Sequence, residues 1–432
     1  MTHAELLRRH RAVLPSWLAL YYDEPIALVD GQGCRVVDAE GRRYLDFFGG
    51  ILTTMVGYNL PEVVEAVRDQ AGRMVHTSTL YLIEPMIELA ERIAGLSGIP
   101  DAKVFFTNSG TEANEAALLF ATTARRSNQV LALRNSYHGR SFAAMAITGN
   151  RGWSASSLTP VNVSYVHGGY RYRSAFRDLS DRDYVRACVE DLRDVLRTAT
   201  SGDVACMIAE PIQGVGGFAT PPDGLFGAMK EVLDETGILF VSDEVQTGWG
   251  RTGEHFWGIQ AHGVVPDAMT FAKGLGNGLA IGGVVARGEL VDSLEANSIS
   301  TFGGNPLVTR GALATLEYLL SHDLQANALK VGTRMRQALD GFAERCAIVG
   351  EVRGKGLMLG IELIERGTGE PSPLAATRAL EEARRNGLLV GKGGLLGNVV
   401  RVAPPLVVSE AEADEGLESL TAALEAVAGE LA

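Results

Sequence analysis

The segment Pro266-Asp267-Ala268-Met269-Thr270-Phe271-Ala272-Lys273-Gly274-Leu275-Gly276-Asn277-Gly278 places a single lysine at the end of a short apolar run. Residues Ala268 to Ala272 are typical of a buried strand, and the glycines that follow leave space around Lys273. An unpaired ammonium group at the edge of a core costs several kcal/mol, so this lysine is paired, solvated or used as a neutral amine. The chain has only six lysines, and Lys273 alone combines a strand end and a glycine-rich loop with an acidic strand end, Asp243-Glu244, about thirty residues upstream. We therefore predict that Lys273 has a chemical role, with a solvated lysine at a strand end as the alternative.

The surrounding sequence, from about residue 85 to 290, has the pattern of an α/β protein. Short, nearly continuous apolar runs alternate with helical segments, which is typical of a mostly parallel sheet that helices cover on both faces. The predicted strands are residues 104–106, 130–133, 205–209, 238–241, 268–271 and 284–286. Ligands of open α/β sheets bind outside the carboxyl ends of the strands, so we expect one site at that edge.

The two ends of the chain differ from this pattern. Residues 15–48 alternate short β-like pieces with Gly and Asp turns, which predicts a small N-terminal sheet, and a helix is expected at about residues 61–74. Beyond Asn305-Pro306, helices lead into strand-like runs at 349–361 and 398–402, which predicts a small α+β domain. We expect an N-terminal segment at 1–60 that joins the small domain, a large domain at 61–305 and the C-terminal part of the small domain at 306–432.

Length and charge limit the class of protein. With 432 residues, 46% of them hydrophobic and 21% charged, the chain has the composition of a soluble protein of two or three domains. No apolar run approaches the roughly eighteen residues that a membrane span needs. The formal charge of −13 argues against nucleic-acid and anionic-membrane partners.

Cysteine spacing and the N-terminus bear on the compartment. The four cysteines, at positions 34, 188, 206 and 346, have no CxxC or CxxH spacing, so we expect neither disulfides nor a zinc site, and a cytoplasmic location. Met1–Leu14 carries arginines but no continuous apolar stretch before a cleavage site, so we expect a short amphipathic helix and no secretory signal. A transit segment is the alternative for this stretch.

Polar residues collect where the predicted strands end. Ser109-Gly110-Thr111 opens a helix, and its N–H groups and hydroxyls form a cradle suited to a phosphate, although an ordinary helix N-cap is the alternative. Tyr137 can stack on a flat heterocycle, although a single tyrosine is more often simply packed. Asp243 ends a strand, and a carboxylate there can keep a pyridine nitrogen protonated. Together with a lysine that can form an imine, these features predict pyridoxal phosphate as the cofactor.

Competing motifs fail on their context. Gly214-Val215-Gly216-Gly217-Phe218-Ala219 matches the dinucleotide pattern GxGxxA, but Pro221-Pro222 stands where the helix of such a site should begin. The sequence has no GxxxxGKS/T, HExxH or GxSxG motif, so nucleotide hydrolysis, zinc proteolysis and serine hydrolysis lack support. We interpret the eight histidines as structural and expect no metal ion.

These residues resemble the class III pyridoxal-phosphate aminotransferases of fold type I. Six motifs occur in the order of that family, at residues 108–114, 137–140, 210–211, 243–248, 272–274 and 301–306. Within the family, the alanine–glyoxylate aminotransferase 2 branch is the most similar, on residues 76–79, 210–215, 349–358 and 387–391. The likeness runs from about Tyr44 to the C-terminal helix, and membership of a branch does not fix the substrate.

The resemblance implies a role for each candidate residue. Lys273 forms the imine with the cofactor and later moves the proton of the substrate α-carbon, while Asp243 holds the ring nitrogen. The other residues implied to contact the cofactor are Ser109, Gly110, Thr111, Tyr137, His138, Glu210, Val245, Gln246 and, from a neighbouring subunit, Thr301. The residues implied to contact the substrate are Arg401, for its carboxylate, and Arg140, Glu210 and Ile51. Glu210 is expected to mask the charge of Arg401 when a donor has no carboxylate there, with a fixed Glu210–Arg401 pair that holds two domains together as the alternative.

The implied activity is transfer of an amino group from alanine, β-alanine or another ω-amino acid to a small 2-oxo acid such as glyoxylate, pyruvate or 2-oxoglutarate. The resemblance also implies a homodimer, or a dimer of dimers. A decarboxylase, racemase or lyase of the same fold would use the same Lys273 and Asp243. A catalytically silent scaffold protein is the alternative from another class, and the intact Lys273 argues against it.

Overall fold

The computed structural model describes residues 3–431, so Met1, Thr2 and Ala432, which belong to the expected terminal segments, lie outside the described residues. The α-helices of five or more residues are His3–Val13, Pro61–Arg73, Glu84–Ser97, Gly110–Arg125, Phe142–Ala146, Asp181–Thr198, Leu225–Thr236, Pro306–Ser321, Leu324–Ala343, Pro373–Arg385 and Glu410–Glu430. The helices expected at the N-terminus and at about residues 61–74 are therefore confirmed.

The strands of the described residues form three sheets. They are β1 (Leu28–Gln32), β2 (Arg35–Asp38), β3 (Arg43–Asp46), β4 (Ala102–Thr107), β5 (Gln129–Leu133), β6 (Asn162–Val166), β7 (Cys206–Ala209), β8 (Leu239–Asp243), β9 (Ala268–Phe271), β10 (Gly282–Arg287), β11 (Val349–Lys355), β12 (Met358–Leu363), β13 (Leu388–Leu389), β14 (Gly391–Gly393) and β15 (Val399–Val402). The six strands predicted for the large sheet are all present among them.

The central sheet has seven strands in the order β4-β10-β9-β8-β7-β5-β6. The strands from β9 to β6 are parallel to their neighbours, whereas β10 runs antiparallel to both β4 and β9. The mostly parallel α/β sheet is therefore confirmed. β6 is absent from the predicted strands because it lies at the edge of the sheet, is only partly buried and lacks a continuous apolar run.

Both faces of the central sheet are covered, as the continuous apolar strands predict. In β5, Leu131 and Leu133 belong to one hydrophobic cluster, whereas Val130 and Ala132 belong to another. Successive strand residues point to opposite faces, so the two clusters lie on the two sides of the sheet. Every residue of β7 and β9 is buried, which explains why these strands lack alternating polar and apolar residues.

Two four-stranded sheets, β1-β2-β3-β13 and β11-β12-β15-β14, form the small part of the fold. β13 pairs in parallel with β3, so segments from both ends of the chain share one sheet, as expected. β15 pairs with β12, which places Arg401 opposite Gly360. The domain limits at 1–60, 61–305 and 306–432 stay a proposal.

The central sheet brings the candidate residues to one edge. Glu210 directly follows β7, Asp243 is the last residue of β8, and Lys273 follows the end of β9 by two residues. The helix Gly110–Arg125 begins after β4, with Ser109 as its N-cap; the hydroxyl of Ser109 accepts a hydrogen bond of 3.2 Å from the first helical turn. Carboxyl ends of parallel strands meet at the same edge of a sheet, so these four segments converge.

The segment after Glu210 is a turn and does not open a helix. Gln213 and Ala219 form an isolated antiparallel pair, and the next helix begins only at Leu225. A dinucleotide site needs a helix that starts at its glycines, so the structure agrees with rejecting that motif.

The structure also shows whether any helix could span a membrane and how the cysteines are placed. Between His3 and Leu431, no helix is long and apolar enough to cross a membrane. All four cysteines are buried and free.

Candidate active site

A pocket opens at the carboxyl edge of the central sheet. Its walls are formed by Ser109, Gly110, Thr111, Asn114, Tyr137, His138, Gly139, Glu210, Asp243, Val245, Gln246 and Lys273. Every residue that the resemblance places around the cofactor belongs to this set except Thr301. The topology of the sheet therefore brings these residues together in one site at this edge.

Lys273 has an unusual backbone and an unusual amine. It begins a 3-10 turn with a φ of 44°, in the left-handed region that residues with a side chain seldom adopt. Such strain persists where the surrounding structure enforces it and is common at active sites. Burial lowers the pKa of Lys273 to about 8 against the opposing effect of Asp243, with further contributions from Arg401 and Glu210. The amine is therefore easier to deprotonate than that of an exposed lysine.

The Asp243 carboxylate is buried and receives several hydrogen bonds from within the chain. Oδ2 accepts from Nδ2 of Asn114 at 2.8 Å and lies 2.7 Å from Nδ1 of His138. Oδ1 accepts from the N–H of Val245 at 3.1 Å. The Asn114 amide is anchored in turn, because its oxygen accepts from the hydroxyl of Thr270 at 2.7 Å. These contacts hold the carboxylate in one orientation at the wall of the pocket.

Glu210 is a second buried carboxylate in the pocket. Oε1 accepts from the N–H of Tyr137 at 2.9 Å, and Oε2 accepts from the N–H of Gly214 at 2.8 Å. Burial raises the pKa of Glu210 to about 7 despite the nearby His138, and Asp243 adds to the increase. Glu210 therefore titrates near neutral pH and ties together the backbones of two loops.

The first turn of the helix Gly110–Arg125 forms an anion cradle at the pocket. The first N–H groups of a helix have no partners within it, and the positive end of the helix dipole favours a negative charge. Gly139, with a φ of 140°, closes the opposite side, and a Cβ there would lie 2.6 Å from Oγ1 of Thr111. A side chain at position 139 would fill the cradle, so the sequence keeps this space open.

The remaining walls carry an aromatic ring and two unpaired polar atoms. The ring of Tyr137 meets Trp153 edge-on, with centroids 5.3 Å apart and an interplanar angle of 72°. The amide oxygen of Gln246 and Nε2 of His138 are buried without a hydrogen-bond partner among residues 3–431. Unpaired buried polar atoms are costly, so both are candidates to bind a group that enters the pocket.

Arg401 is a buried cation on the small-domain side of the site. Nη1 donates to the carbonyl of Gly214 at 3.3 Å and Nη2 donates to the carbonyl of Lys392 at 2.9 Å. Nε has no partner among residues 3–431. The guanidinium carbon lies 4.9 Å from the ring centroid of Phe48 and 5.6 Å from that of Phe218. Burial lowers the pKa of Arg401, although the group remains a cation at any ordinary pH.

Besides the buried Arg401, three predicted residues do not line the pocket of the single chain. Thr301 is exposed in the loop before the helix Pro306–Ser321. Arg140 is also exposed, and its guanidinium carbon lies 5.9 Å from the ring centroid of Trp17. Ile51 is 46% exposed and has a φ of 67°. Their expected contacts with cofactor or substrate therefore remain proposals.

Asn114 and Trp153 are contacts that the sequence interpretation missed. Asn114 carried a signal, because a polar side chain in the second turn of a helix that packs on a buried sheet needs a partner at the sheet edge. Trp153 carried none, because it lies in a 3-10 turn between irregular segments with no periodicity. Only the folded chain brings it against Tyr137.

Comparisons with known proteins identify the family. The model of the aminotransferase class-III family matches residues 20–424. The chain is 39% identical over 419 residues to alanine–glyoxylate aminotransferase 2 homolog 2, mitochondrial, of Arabidopsis thaliana, across 96% of this chain and 86% of the relative. It is 37% identical over 431 residues to a leucine/methionine racemase of Thermococcus litoralis, across 98% of this chain and 96% of the relative. The chain therefore belongs to the class III aminotransferase family.

A solved structure extends the likeness to the cofactor. An amine transaminase from an uncultivated Pseudomonas species, in the PLP-bound (internal aldimine) form, matches with a TM-score of 0.89 and 29% identity, across 97% of this chain and 98% of that one. The pocket fits pyridoxal 5'-phosphate, since it combines an amine of low pKa, a buried carboxylate, an unpaired amide oxygen and an open helix N-terminus. The protein is thus a fold type I enzyme that depends on pyridoxal phosphate.

Proposed function

We propose that the enzyme moves an amino group from an amino acid, with alanine as the representative donor, to a small 2-oxo acid such as glyoxylate, pyruvate or 2-oxoglutarate. Both kinds of substrate carry a carboxylate next to the reacting carbon. The observation that supports this proposal is Arg401, a buried guanidinium without a carboxylate partner. The name of the Arabidopsis relative agrees with alanine and glyoxylate as substrates.

The surroundings of Arg401 favour a carboxylate ligand. It is 4% exposed and forms no ion pair with any residue between His3 and Leu431. Two backbone carbonyls satisfy only part of its five donors. A buried, uncompensated charge is costly, and a planar carboxylate matches the fork of a guanidinium. A substrate carboxylate would therefore supply what the chain itself leaves unpaired.

The expected masking of Arg401 by Glu210 finds no support in this geometry. The two carboxylate oxygens of Glu210 accept hydrogen bonds from the backbone N–H groups of Tyr137 and Gly214. If the Glu210 side chain turned towards Arg401, both buried N–H donors would lose their partner. A fixed pair between the two side chains is also absent among the described residues. Arg401 then stays unmasked in both half-reactions, which favours donors with a carboxylate over simple amines.

The roles of the catalytic pair follow from their environments. When bound, the cofactor supplies an aldehyde that accepts the amino group and a ring that withdraws electrons from the substrate α-carbon. We assign Lys273 as the group that binds the cofactor and then moves the α-proton at Nζ, because its amine is neutral at mildly alkaline pH. Asp243 would keep the ring nitrogen of the cofactor protonated, and the contacts from Asn114 and His138 keep its carboxylate in place.

The other pocket residues take the roles that the family resemblance implies. The proposed phosphate ligands are Ser109, Gly110 and Thr111; the proposed ring contacts are Tyr137, His138, Glu210, Val245 and Gln246. Arg140 and Ile51 are proposed to contact the outer part of the substrate, since both are exposed.

Replacement of Arg401 tests the proposal. In Arg401→Ala, the KM for pyruvate or glyoxylate should rise about tenfold or more, in line with the 1.5–3 kcal/mol of a charged hydrogen bond. Cofactor absorbance should stay unchanged. Arg334→Ala, which removes an exposed arginine paired with Asp414, is the matched control and should leave KM unchanged. An Arg401→Ala enzyme with normal 2-oxo acid kinetics and a lowered melting temperature would make the arginine structural and refute the proposal.

A second candidate function is racemisation, decarboxylation or elimination at the same site. The relative named as a leucine/methionine racemase covers nearly the whole chain at similar identity, so the fold alone does not separate these reactions. All of them would use Lys273 and Asp243. They differ in the fate of the cofactor, because only a transaminase leaves it in the amine form when the donor is supplied alone.

We also propose a homodimer with composite sites. Thr301 is exposed, and its neighbours Ile299 and Phe302 are apolar side chains that are each 60% exposed. Leu82 is 93% exposed on the same chain. Exposed apolar residues of this kind favour an interface with a second copy, across which Thr301 would reach the phosphate of the partner's cofactor.

Subunit mixing tests the composite site. Inactive Lys273→Ala chains mixed with inactive Thr301→Arg chains should regain part of the wild-type activity, because one of the two sites in a heterodimer then has both intact residues. Mixtures within each variant are the controls. Absence of activity in heterodimers whose formation is proven would show that each site belongs to one chain.

The compartment is proposed to be the cytoplasm. Four buried, unpaired cysteines agree with a reducing environment. The Arabidopsis relative carries a mitochondrial name, so the alternative is a matrix enzyme. Fractionation of cells that contain the protein distinguishes the two.

A further inference from the structure

The turn Gly214–Phe218 connects the pocket to the sheet β11-β12-β15-β14. The Gly214 carbonyl accepts from Arg401 at 3.3 Å, and the Phe218 ring centroid lies 5.6 Å from the guanidinium carbon of Arg401. At its other side, the N–H of Gly214 donates to Glu210 at 2.8 Å. The conformation of this turn therefore determines where two of the contacts around Arg401 lie.

Arg353, on β11, holds the tip of the turn. Its Nε donates to the carbonyl of Gly217 at 2.9 Å. Gly217 has a φ of 88°, and a Cβ there would lie 2.8 Å from Cγ2 of Val399 and 3.1 Å from Nη2 of Arg353. The tip is thus enclosed on several sides, and the only side-chain hydrogen bond to its carbonyl among the described residues comes from Arg353.

Arg353 is itself fixed by a buried charge cluster that the proposed reaction does not use. Its Nη1 donates to Glu351 at 2.5 Å and to Glu362 at 2.7 Å. Glu362, fully buried on β12, also accepts from the hydroxyl of Tyr170 at 2.8 Å and from Nε of Arg173 at 2.6 Å. Charge-assisted bonds of this number hold a planar guanidinium in one orientation.

The strand next to Arg401 gives a second connection to the same tip. Gly360 of β12 pairs with Arg401 of β15. A Cβ at Gly360 would lie 2.6 Å from the carbonyl oxygen of Gly217, so the turn packs directly on this strand. A shift of the tip would therefore move both the turn contacts and the strand contacts of Arg401.

We propose that Arg353 is a positioning residue for the substrate-carboxylate site, which holds the turn Gly214–Phe218 so that Arg401 keeps its orientation. The inference rests on the proposed function, in which Arg401 binds the carboxylate. Arg353 does not touch substrate or cofactor in this scheme. Its effect reaches the substrate only through Gly217, the turn and Arg401.

The variant Arg353→Lys separates orientation from charge. A lysine keeps the positive charge beside Glu362, but a single nitrogen cannot replace both the ion pairs and the bond to Gly217. The KM for pyruvate and glyoxylate should rise about fivefold, as expected for the loss of one hydrogen bond, while kcat at saturation changes little. Cofactor absorbance should not change. Gly217→Ala keeps every charged side chain of the cluster but forces the tip to shift, because its Cβ would crowd Val399 and Nη2 of Arg353. It should give the same pattern and serves if Arg353→Lys does not fold.

A double-mutant cycle with Arg401→Ala tests whether Arg353 acts through Arg401. If Arg353 acts through Arg401, then Arg353→Lys raises KM in the wild-type background and adds nothing in the Arg401→Ala background. Leu316→Ala, a buried core substitution in the helix Pro306–Ser321, controls for general destabilisation and should lower the melting temperature without changing KM.

The results of these experiments distinguish failure of the positioning role from failure of the proposed carboxylate site. An unchanged KM in both Arg353→Lys and Gly217→Ala, or an equal rise of KM in both backgrounds, overturns the positioning role while the proposed function stands. A lack of effect from Arg401→Ala itself overturns the proposed carboxylate site, and the positioning role with it.

Discussion

Asp243 and Arg401 are both buried, charged side chains beside the same pocket, but the chain surrounds them differently. Asp243 receives contacts from Asn114, His138 and Val245, all within 3.1 Å. Arg401 donates to two backbone carbonyls, keeps Nε unpaired among the described residues and has no carboxylate partner there. The comparison indicates that the chain itself fixes the orientation of the Asp243 carboxylate. Under the proposed function, the charge that pairs with Arg401 comes from the substrate.

The strand ends explain the difference between the two regions. Asp243 ends β8 and Lys273 follows β9, two neighbouring parallel strands of a sheet buried on both faces, so their positions are fixed by the core. Arg401 lies on β15 of a separate four-stranded sheet and meets the pocket through the turn Gly214–Phe218. A change on the first side should therefore abolish chemistry, and a change on the second should weaken substrate binding.

The largest effect is expected from Lys273→Ala. Removal of the amine should abolish the absorbance of the lysine-bound cofactor and reduce turnover by at least about three orders of magnitude. Lys330→Ala, which removes an exposed lysine paired with Glu410, is the control and should behave as the wild type. Spectra and steady-state rates check both variants. Turnover of Lys273→Ala at the wild-type rate would contradict the assignment.

Asp243→Asn should have the next largest effect. The variant should bind the cofactor yet lose about 10²- to 10³-fold in rate, because a neutral amide does not stabilise a protonated ring nitrogen. Asp267→Asn, at a buried aspartate that accepts from the N–H of Phe240, is the matched control and should lower stability more than rate. Cofactor-bound Asp243→Asn with a rate within a few-fold of the wild type would remove this residue from the reaction.

The pH dependence of cofactor binding gives a smaller, graded effect. Lys273 has a pKa of about 8, so the neutral amine of the apoenzyme falls about tenfold for each pH unit below that value. The rate at which apoenzyme recovers cofactor absorbance should rise with pH and level off above about pH 8 to 9. A rate that keeps rising to pH 10.5 would show an unperturbed lysine.

The same shift has a consequence for stability. The unfolded chain binds more protons than the folded apoenzyme between pH 8 and 10.5, because the folded-state pKa of Lys273 is the lower one. This group therefore makes the apoenzyme more stable as the pH rises through that window. Thermal unfolding of apoenzyme and of Lys273→Ala across these pH values isolates the contribution.

Much of the fold was predictable because buried parallel strands have a plain signature. Continuous apolar runs such as β7 and β9 are explained by burial on both faces. β6 lacks that signature, because four of its five residues are partly or fully exposed. β14 is Gly-Lys-Gly, which has no strand propensity and forms only because β15 pairs with it.

The contacts of the site also differ in how far the sequence predicts them. Lys273, Asp243 and Glu210 stand directly at or after strand ends, so their convergence follows from chain order alone. The aromatic neighbours of Arg401, Phe48 and Phe218, are distant in sequence, and nothing in the sequence indicates that they meet. The partners of Glu210 are backbone N–H groups, which no residue type reveals.

Titration of the holoenzyme with L-alanine in the absence of any 2-oxo acid tests the proposed reaction most directly. The cofactor should pass to its amine form with release of one equivalent of pyruvate per site, and glyoxylate should restore the original spectrum. An amine without a carboxylate, such as 1-phenylethylamine, should convert the cofactor far more slowly, because Arg401 would then stay unpaired. A spectrum that returns to the aldehyde form while alanine is racemised or decarboxylated, or conversion by the amine as fast as by alanine, would contradict the proposal.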